Sequence, residues 1–350
     1  MKLPERGTDP GSRSSFGTDA HADGGDFVAP RDTLFRDPTL PYSIATAVLG
    51  IQTRLRTNDR RVLAMFQRMF GNGSRSADID VDEGALRLTV QVLVYAGDGA
   101  RDDSRSVQHI CPDGARVLVH GAGGMAISDP LRQDALVYAS NGLVCDEAYF
   151  RHQYLEAATL ALATHFDRQP LHAAAIRRND RAVLLLGPSG AGKSTLAYAA
   201  HSAGLDVLSE DIVWMQLDPA TRIWGRPQSI HLLRGAEEHF PELRHSQISS
   251  QPNGKQKITV QLKRSPHAES TAVDNLVVCL LERDRGAAQL SHVDRDEMHF
   301  ALMQDAAAGF DRYPERRAEC AHVLSANGGW RLTLSPDPHD ALVLIDELLR

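Results

Sequence analysis

Polar and apolar residues alternate with two periods along this chain, and the changes of period mark its elements. Residues 44–55 read as a strand interrupted by Gly50. Val62, Phe66, Met69 and Phe70 then recur at helical spacing, with Thr57 or Asn58 placed to cap the helix and Gly71 to close it. Leu86, Leu88, Val90 and Val92 alternate with Arg87, Thr89 and Gln91, which marks a strand with one solvated face. Short apolar runs at 116–119, 125–128 and 135–138 predict further strands between glycine-rich turns. Residues 39–146 therefore predict a small α+β domain, a mostly antiparallel sheet with one helix.

At 147–166 the period changes. Tyr154, Leu155, Ala158, Leu162 and Phe166 return to helical spacing in an alanine-rich segment. Residues 171–176 and 183–186 flank Arg178-Asn179-Asp180 and predict a hairpin. The helix after Gly192 should end at Gly204, ahead of a strand at 205–208. A second hairpin is expected around Asp218-Pro219, a buried strand at 276–282, and helices at 295–308 and 339–349. The pattern over 147–350 is α/β, a mixed sheet flanked by helices. Residues 1–38 have few apolar positions and no period, which predicts a disordered arm. No internal repeat is visible.

Composition narrows the classes. A chain of 350 residues with 42% hydrophobic content has room for two domains. Its net charge of −7 argues against a general nucleic-acid binder. No apolar run has the length of a membrane span, and the polar N-terminus has no signal core, which argues against secretion. Cys111, Cys145, Cys279 and Cys320 form no C-x-x-C pair and read as reduced thiols of a cytoplasmic protein. The fifteen His residues do not fall at metal-ligand spacing either.

The chemistry concentrates where Val183-Leu184-Leu185-Leu186 meets Gly187-Pro188-Ser189-Gly190-Ala191-Gly192-Lys193-Ser194-Thr195. A buried strand, a loop of the form G-x-x-x-x-G-K-S and a helix build a phosphate cradle. Backbone amides curl around the phosphates, and the helix turns its positive end toward them. Lys193 is placed to reach β- and γ-phosphates, and the Ser194 hydroxyl to hold Mg²⁺, so ATP is the expected ligand. Ser209-Glu210-Asp211 ends the next strand. One carboxylate there can complete the Mg²⁺ site and the other can take a proton from an attacking hydroxyl. Those two strands are expected close together in the sheet. His172, in an apolar strand, could face the phosphates, although such a residue is more often a satisfied core histidine. Lys255 and Lys257, beside Asn253-Gly254, could close over a phosphate but read first as a solvated loop. Trp214, Trp224 and Trp330 read as core or pocket wall.

The run from Leu171-His172-Ala173 through the glycine loop to Leu208-Ser209-Glu210-Asp211 resembles the C-terminal kinase domain of HPr serine kinase/phosphorylase. It is closer still to HPr-kinase-like proteins of peptide-modification clusters, including lasso-peptide precursor kinases. The resemblance implies a P-loop kinase domain over 147–350 and an ATP- and Mg²⁺-dependent serine kinase. It places Lys193 and Ser194 on phosphate and metal, Glu210 on the general base, Asp211 on the metal and His172 on the active-site histidine. Glu210 is one methylene longer than the family's Asp, so part of the base role can have passed to Asp211. Thr195 stands where HPr kinases proper carry Glu, and their downstream HPr-binding signature has no copy here. Those departures point away from HPr and toward another acceptor, such as a serine in a small ribosomal peptide. Family members often form oligomers, though no surface pattern here indicates one. A small-molecule kinase, a phosphorolytic enzyme and a non-catalytic nucleotide-binding module are the alternatives.

Overall fold

The computed structural model describes residues 38–71, 87–97, 107–111, 116–121, 123–250, 255–262, 270–284, 286–304 and 312–350. The expected arm up to residue 37, Leu86, Asn253-Gly254 and the end of the 295–308 helix lie outside them. No helix among the described residues is long and apolar enough to cross a membrane. The architecture is α/β, with mixed sheets flanked by helices.

The segment expected as one strand at 44–55 is a hairpin, β1 (Tyr42–Val48) and β2 (Ile51–Thr57), because Leu49 and Gly50 both adopt left-handed backbone and reverse the chain. Helix α1 (Arg60–Phe70) is capped by Asp59, whose side chain accepts from the Arg61 amide at 2.7 Å. Neither expected cap is available. The Thr57 hydroxyl accepts from the Asp59 amide, and the Asn58 amide bonds both backbone groups of Val94 at 2.8 Å. Strands β3 (Arg87–Tyr95), β4 (Gln108–Ile110), β5 (Val117–Gly121), β6 (Gly124–Asp129) and β7 (Asp134–Ser140) complete a seven-stranded sheet of order β1-β2-β3-β7-β6-β5-β4. Its pairings are antiparallel except β2–β3 and β3–β7.

The helical run after it comprises α2 (Asn141–Cys145), α3 (Glu147–Phe150), a π-helical turn at Arg151–Glu156, and α4 (Ala157–His165). Phe150, Tyr154, Leu155, Ala158 and Leu162 share one core with Val90, Val92 and Val137. The limit expected at residue 146 thus falls ahead of a helix that fills the first sheet's core.

Glu156 on this run is ion-paired with Arg226 and lies 3.6 Å from His152. Burial alone would raise its pKa; Arg226 and His152 outweigh burial and bring it down to about 2. A depressed carboxylate stabilises the fold above its unfolded value and loses that contribution as pH falls through the folded one. The drop from 4.5 to about 2 corresponds to about 3 kcal/mol, present above roughly pH 5 and lost toward pH 2. Unfolding free energies of wild type and Glu156→Gln should therefore converge on acidification; parallel pH curves would contradict the pairing.

Four strands, β8 (Gln169–Leu171), β12 (Val213–Gln216), β13 (Arg222–Trp224) and β17 (Ser270–Ala272), form a small sheet of order β17-β13-β12-β8. Trp214 inserts from it into the first core, and Arg168 Nε donates to the Leu49 carbonyl at 2.7 Å. The main second sheet runs β11 (Asp206–Ser209), β9 (Ala173–Arg178), β10 (Arg181–Leu186), β18 (Leu276–Arg283), β20 (Gly329–Leu334), β19 (Gln289–Val293). Val183 and Leu185 face α5 (Lys193–Ser202) and α8 (Pro338–Leu348), whereas Leu184 and Leu186 face α6 (Arg295–Gln304) and α7 (Pro314–Ser325). A three-stranded sheet of β14 (Ser229–Leu233), β16 (Gln256–Gln261) and β15 (Ile248–Ser250) covers the flank of α5.

Candidate active site

Strands β10, β18 and β20 run parallel, so their carboxyl ends open on one side, where open α/β sheets bind ligands. They deliver the glycine loop, Arg283-Asp284 and Ser335 to the rim of a single cleft of about 440 Å³. The loop turns on glycines for a steric reason. Gly192 has φ 118° and is the N-cap of α5, and a Cβ there would sit 2.9 Å from Leu334 Cδ1. Helix α5 has no side-chain cap and no acidic residue in its first turn. Its first-turn amides carry the partial positive charge that favours an anion. Lys193 is buried and folds back over the loop, its Nζ donating to the Gly187 carbonyl. Ser189, Gly190, Gly192, Ser194 and Thr195 border the cleft beside it, while Ala191 is buried and accepts from Arg283 Nε at 3.3 Å.

The acidic pair reaches the cleft by a different route. The expected strand at 171–176 is two strands in different sheets, since Leu171 pairs with Val213 and Ala173 with Leu186. His172 sits at that crossing, which lifts its side chain out of the ladder. The partner strand crosses at the same seam, from β11 to β12, and the Ser209 hydroxyl closes the turn by donating to the Ile212 carbonyl at 2.6 Å. Asp211 is thereby set opposite His172, with Oδ1 at 3.4 Å from Nε2. The hydrogen bond from His172 holds the Asp211 carboxyl below the usual carboxylate range, and Lys257 and Lys193 add to the effect. Strands β10 and β11, expected close together in the sheet, are separated by one strand, β9, which begins directly after His172.

Glu210 points the other way. It is buried and does not border the cleft; its Oε1 accepts from the His231 amide at 3.0 Å and lies 2.6 Å from His231 Nδ1. Its Oε2 is buried with no hydrogen-bond partner among the described residues. The longer side chain therefore ties off the edge of β14. Lys255 and Lys257, expected as a solvated loop, border the cleft. Sequence reading passed over Arg283, Asp284 and His231. The first two stand at the carboxyl end of β18, just past its apolar run and Glu282, and could have been found as the end of a strand parallel to the loop strand; His231 carries no local signal.

Among the described residues, no cluster of three or more His, Cys, Asp or Glu side chains forms a metal site. The hydroxyl of Ser194 and the carboxylate of Asp211 are hard oxygen donors on the same cleft. They suit Mg²⁺, which takes few protein ligands and completes its shell with water and phosphate.

The site belongs to an α/β protein in which a strand, a glycine loop and a helix face a carboxylate–histidine pair. No protein-family model matches the chain, and no curated protein matches it by sequence. Among solved structures, the HPr(Ser) kinase/phosphatase from Coxiella burnetii overlaps 52% of this chain and 95% of its own, at 12% identity and a TM-score of 0.25. An overlap this loose says nothing about activity.

Proposed function

We propose that this protein is a phosphotransferase that moves the γ-phosphoryl group of ATP to a serine hydroxyl of a peptide or small protein in the cytoplasm. One observation carries the reading: the glycine loop with Lys193 and Ser194 borders the same cleft as the Asp211–His172 pair. Phosphoryl transfer needs positioning and charge neutralisation more than covalent chemistry, and the cleft offers both. The loop amides and the end of α5 hold the phosphates, and Lys193 draws charge from the transferring group. Mg²⁺, held by Ser194 and by Asp211 through water, would supply a Lewis acid to the phosphate oxygens. His172 keeps Asp211 ionised and oriented. The Asp211 carboxylate accepts the proton of the acceptor hydroxyl as that oxygen attacks phosphorus. Glu210 is a positioning residue that anchors β14 through His231.

The test is transfer from terminally labelled ATP, with the full chain incubated with the host's peptide and small-protein fraction and products identified by mass spectrometry. A labelled serine peptide supports the reading. A labelled metabolite replaces it with a small-molecule kinase. ATP binding without any labelled product replaces it with a nucleotide-binding module.

A further inference from the structure

The charge of the cleft runs against that of the chain. The chain carries a net −7. Among the described residues the cleft is bordered by Lys193, Arg234, Lys255, Lys257 and Arg283, and by two carboxylates, Asp211 and Asp284. These cations fall into two groups. Lys193 and Arg283 belong to the glycine loop, since both donate to its backbone carbonyls. Arg234, Lys255 and Lys257 stand on a separate wall built by the three-stranded sheet. Leu233 pairs with Lys257 across β14 and β16, so Arg234, directly after β14, and Lys255, directly before β16, meet Lys257 at one end of the two strands.

That end adjoins the proton-accepting carboxylate. Lys257 and Asp211 border the same cleft. Among the described residues no carboxylate lies within 4 Å of the Lys257 ammonium. The acidic partner of Arg234 is Glu237, at 3.8 Å, and the Arg234 side chain is 61% exposed. A magnesium nucleotide bound on the loop is met by the loop's own two cations. The wall beside Asp211 is left with a concentration of positive charge that nothing in the nucleotide reading uses. Lysines act as mobile point charges and select net negative charge over any one geometry.

Building on the kinase reading above, we infer that the Arg234–Lys255–Lys257 wall is an anion subsite for the acceptor, and that the acceptor is an acidic peptide whose serine is flanked by carboxylates. The wall would draw the peptide in by its charge and hold it beside Asp211.

The inference is tested with three fluorescent peptides, acetyl-Glu-Glu-Ser-Glu-Glu-amide and its all-Gln and all-Lys counterparts. Each is titrated against the full chain saturated with a non-hydrolysable ATP analogue and Mg²⁺. Wild type should bind the acidic peptide about tenfold or more tighter than the Gln peptide, with the Lys peptide weakest. The preference should shrink below about threefold in 0.5 M salt, where exposed charges are screened. A Lys255→Ala/Lys257→Ala variant should lose the same preference while its affinity for the analogue stays within about twofold. Analogue binding with equal affinity for all three peptides, or with the Lys peptide preferred, overturns the inference and leaves the kinase reading standing. Loss of analogue binding in the double variant, with peptide preference intact, assigns the lysines to the nucleotide and also overturns it. If the analogue does not bind wild type, the underlying reading fails first and takes the inference with it.

Discussion

Replacing Lys193 by Met is expected to reduce phosphoryl transfer by on the order of 10³-fold, the scale on which a single preorganised donor to a developing charge acts. Methionine keeps the length and apolar body of the side chain and removes only the ammonium. In the structure that ammonium is held over the loop by the Gly187 carbonyl at a helix end already biased toward anions. The loss should therefore fall on the nucleotide twice, once as weaker binding and again as a slower chemical step. The fold should survive. Losing the donor leaves loop carbonyls less well satisfied, at a cost of about 1–3 kcal/mol. A thermal melt alongside the transfer assay separates the two effects. Wild-type transfer by a folded Lys193→Met protein would remove the glycine loop from the mechanism.

Much of the second sheet was legible because its signals are local. An apolar run of four residues, fixed glycines and a following helix specify a strand, a turn and a helix end whatever surrounds them. Gly204 likewise closes α5 with left-handed backbone, as its position indicated. What was not legible depends on partners far away in sequence. Asn58 looks like a helix cap until β3 takes its amide, and Asp59 becomes the cap. His172 looks like a core residue of one strand because the neighbours on both sides are apolar. Only the pairing of Leu171 and Ala173 in separate sheets shows that the chain crosses there. Helix α7 escaped notice because only Cys320, Ala321, Leu324 and Ser325 are buried along its twelve residues. The apolar stripe is too short to stand out from a charged sequence. The site followed the same division: the course of the loop from strand to helix is local, whereas Lys255 and Lys257 read first as a solvated loop until the pairing of β14 with β16 sets them at the cleft.

The two carboxylates at the seam should separate sharply under isosteric replacement. Asp211→Asn is expected to lower kcat by about 10²–10³-fold, the range of a lost general base. The KM for ATP should change less than kcat, since Lys193, Ser194 and the loop amides remain although one group that holds Mg²⁺ is lost. Glu210→Gln should leave kcat within about threefold of wild type, because a Gln carbonyl can still accept from the His231 amide and ring where Oε1 does now. Its effect should appear in stability instead, since the new amide nitrogen takes the place of the buried, unpartnered Oε2. This order is the reverse of what the resemblance implies, which puts the base at 210. The physical ground for reversing it is orientation. The extra methylene of Glu210 carries its carboxylate to β14, and the shorter Asp211 is turned to His172 and the cleft. A collapse of kcat in Glu210→Gln with Asp211→Asn nearly unaffected would return the base to 210, by way of the His231 ring that borders the cleft.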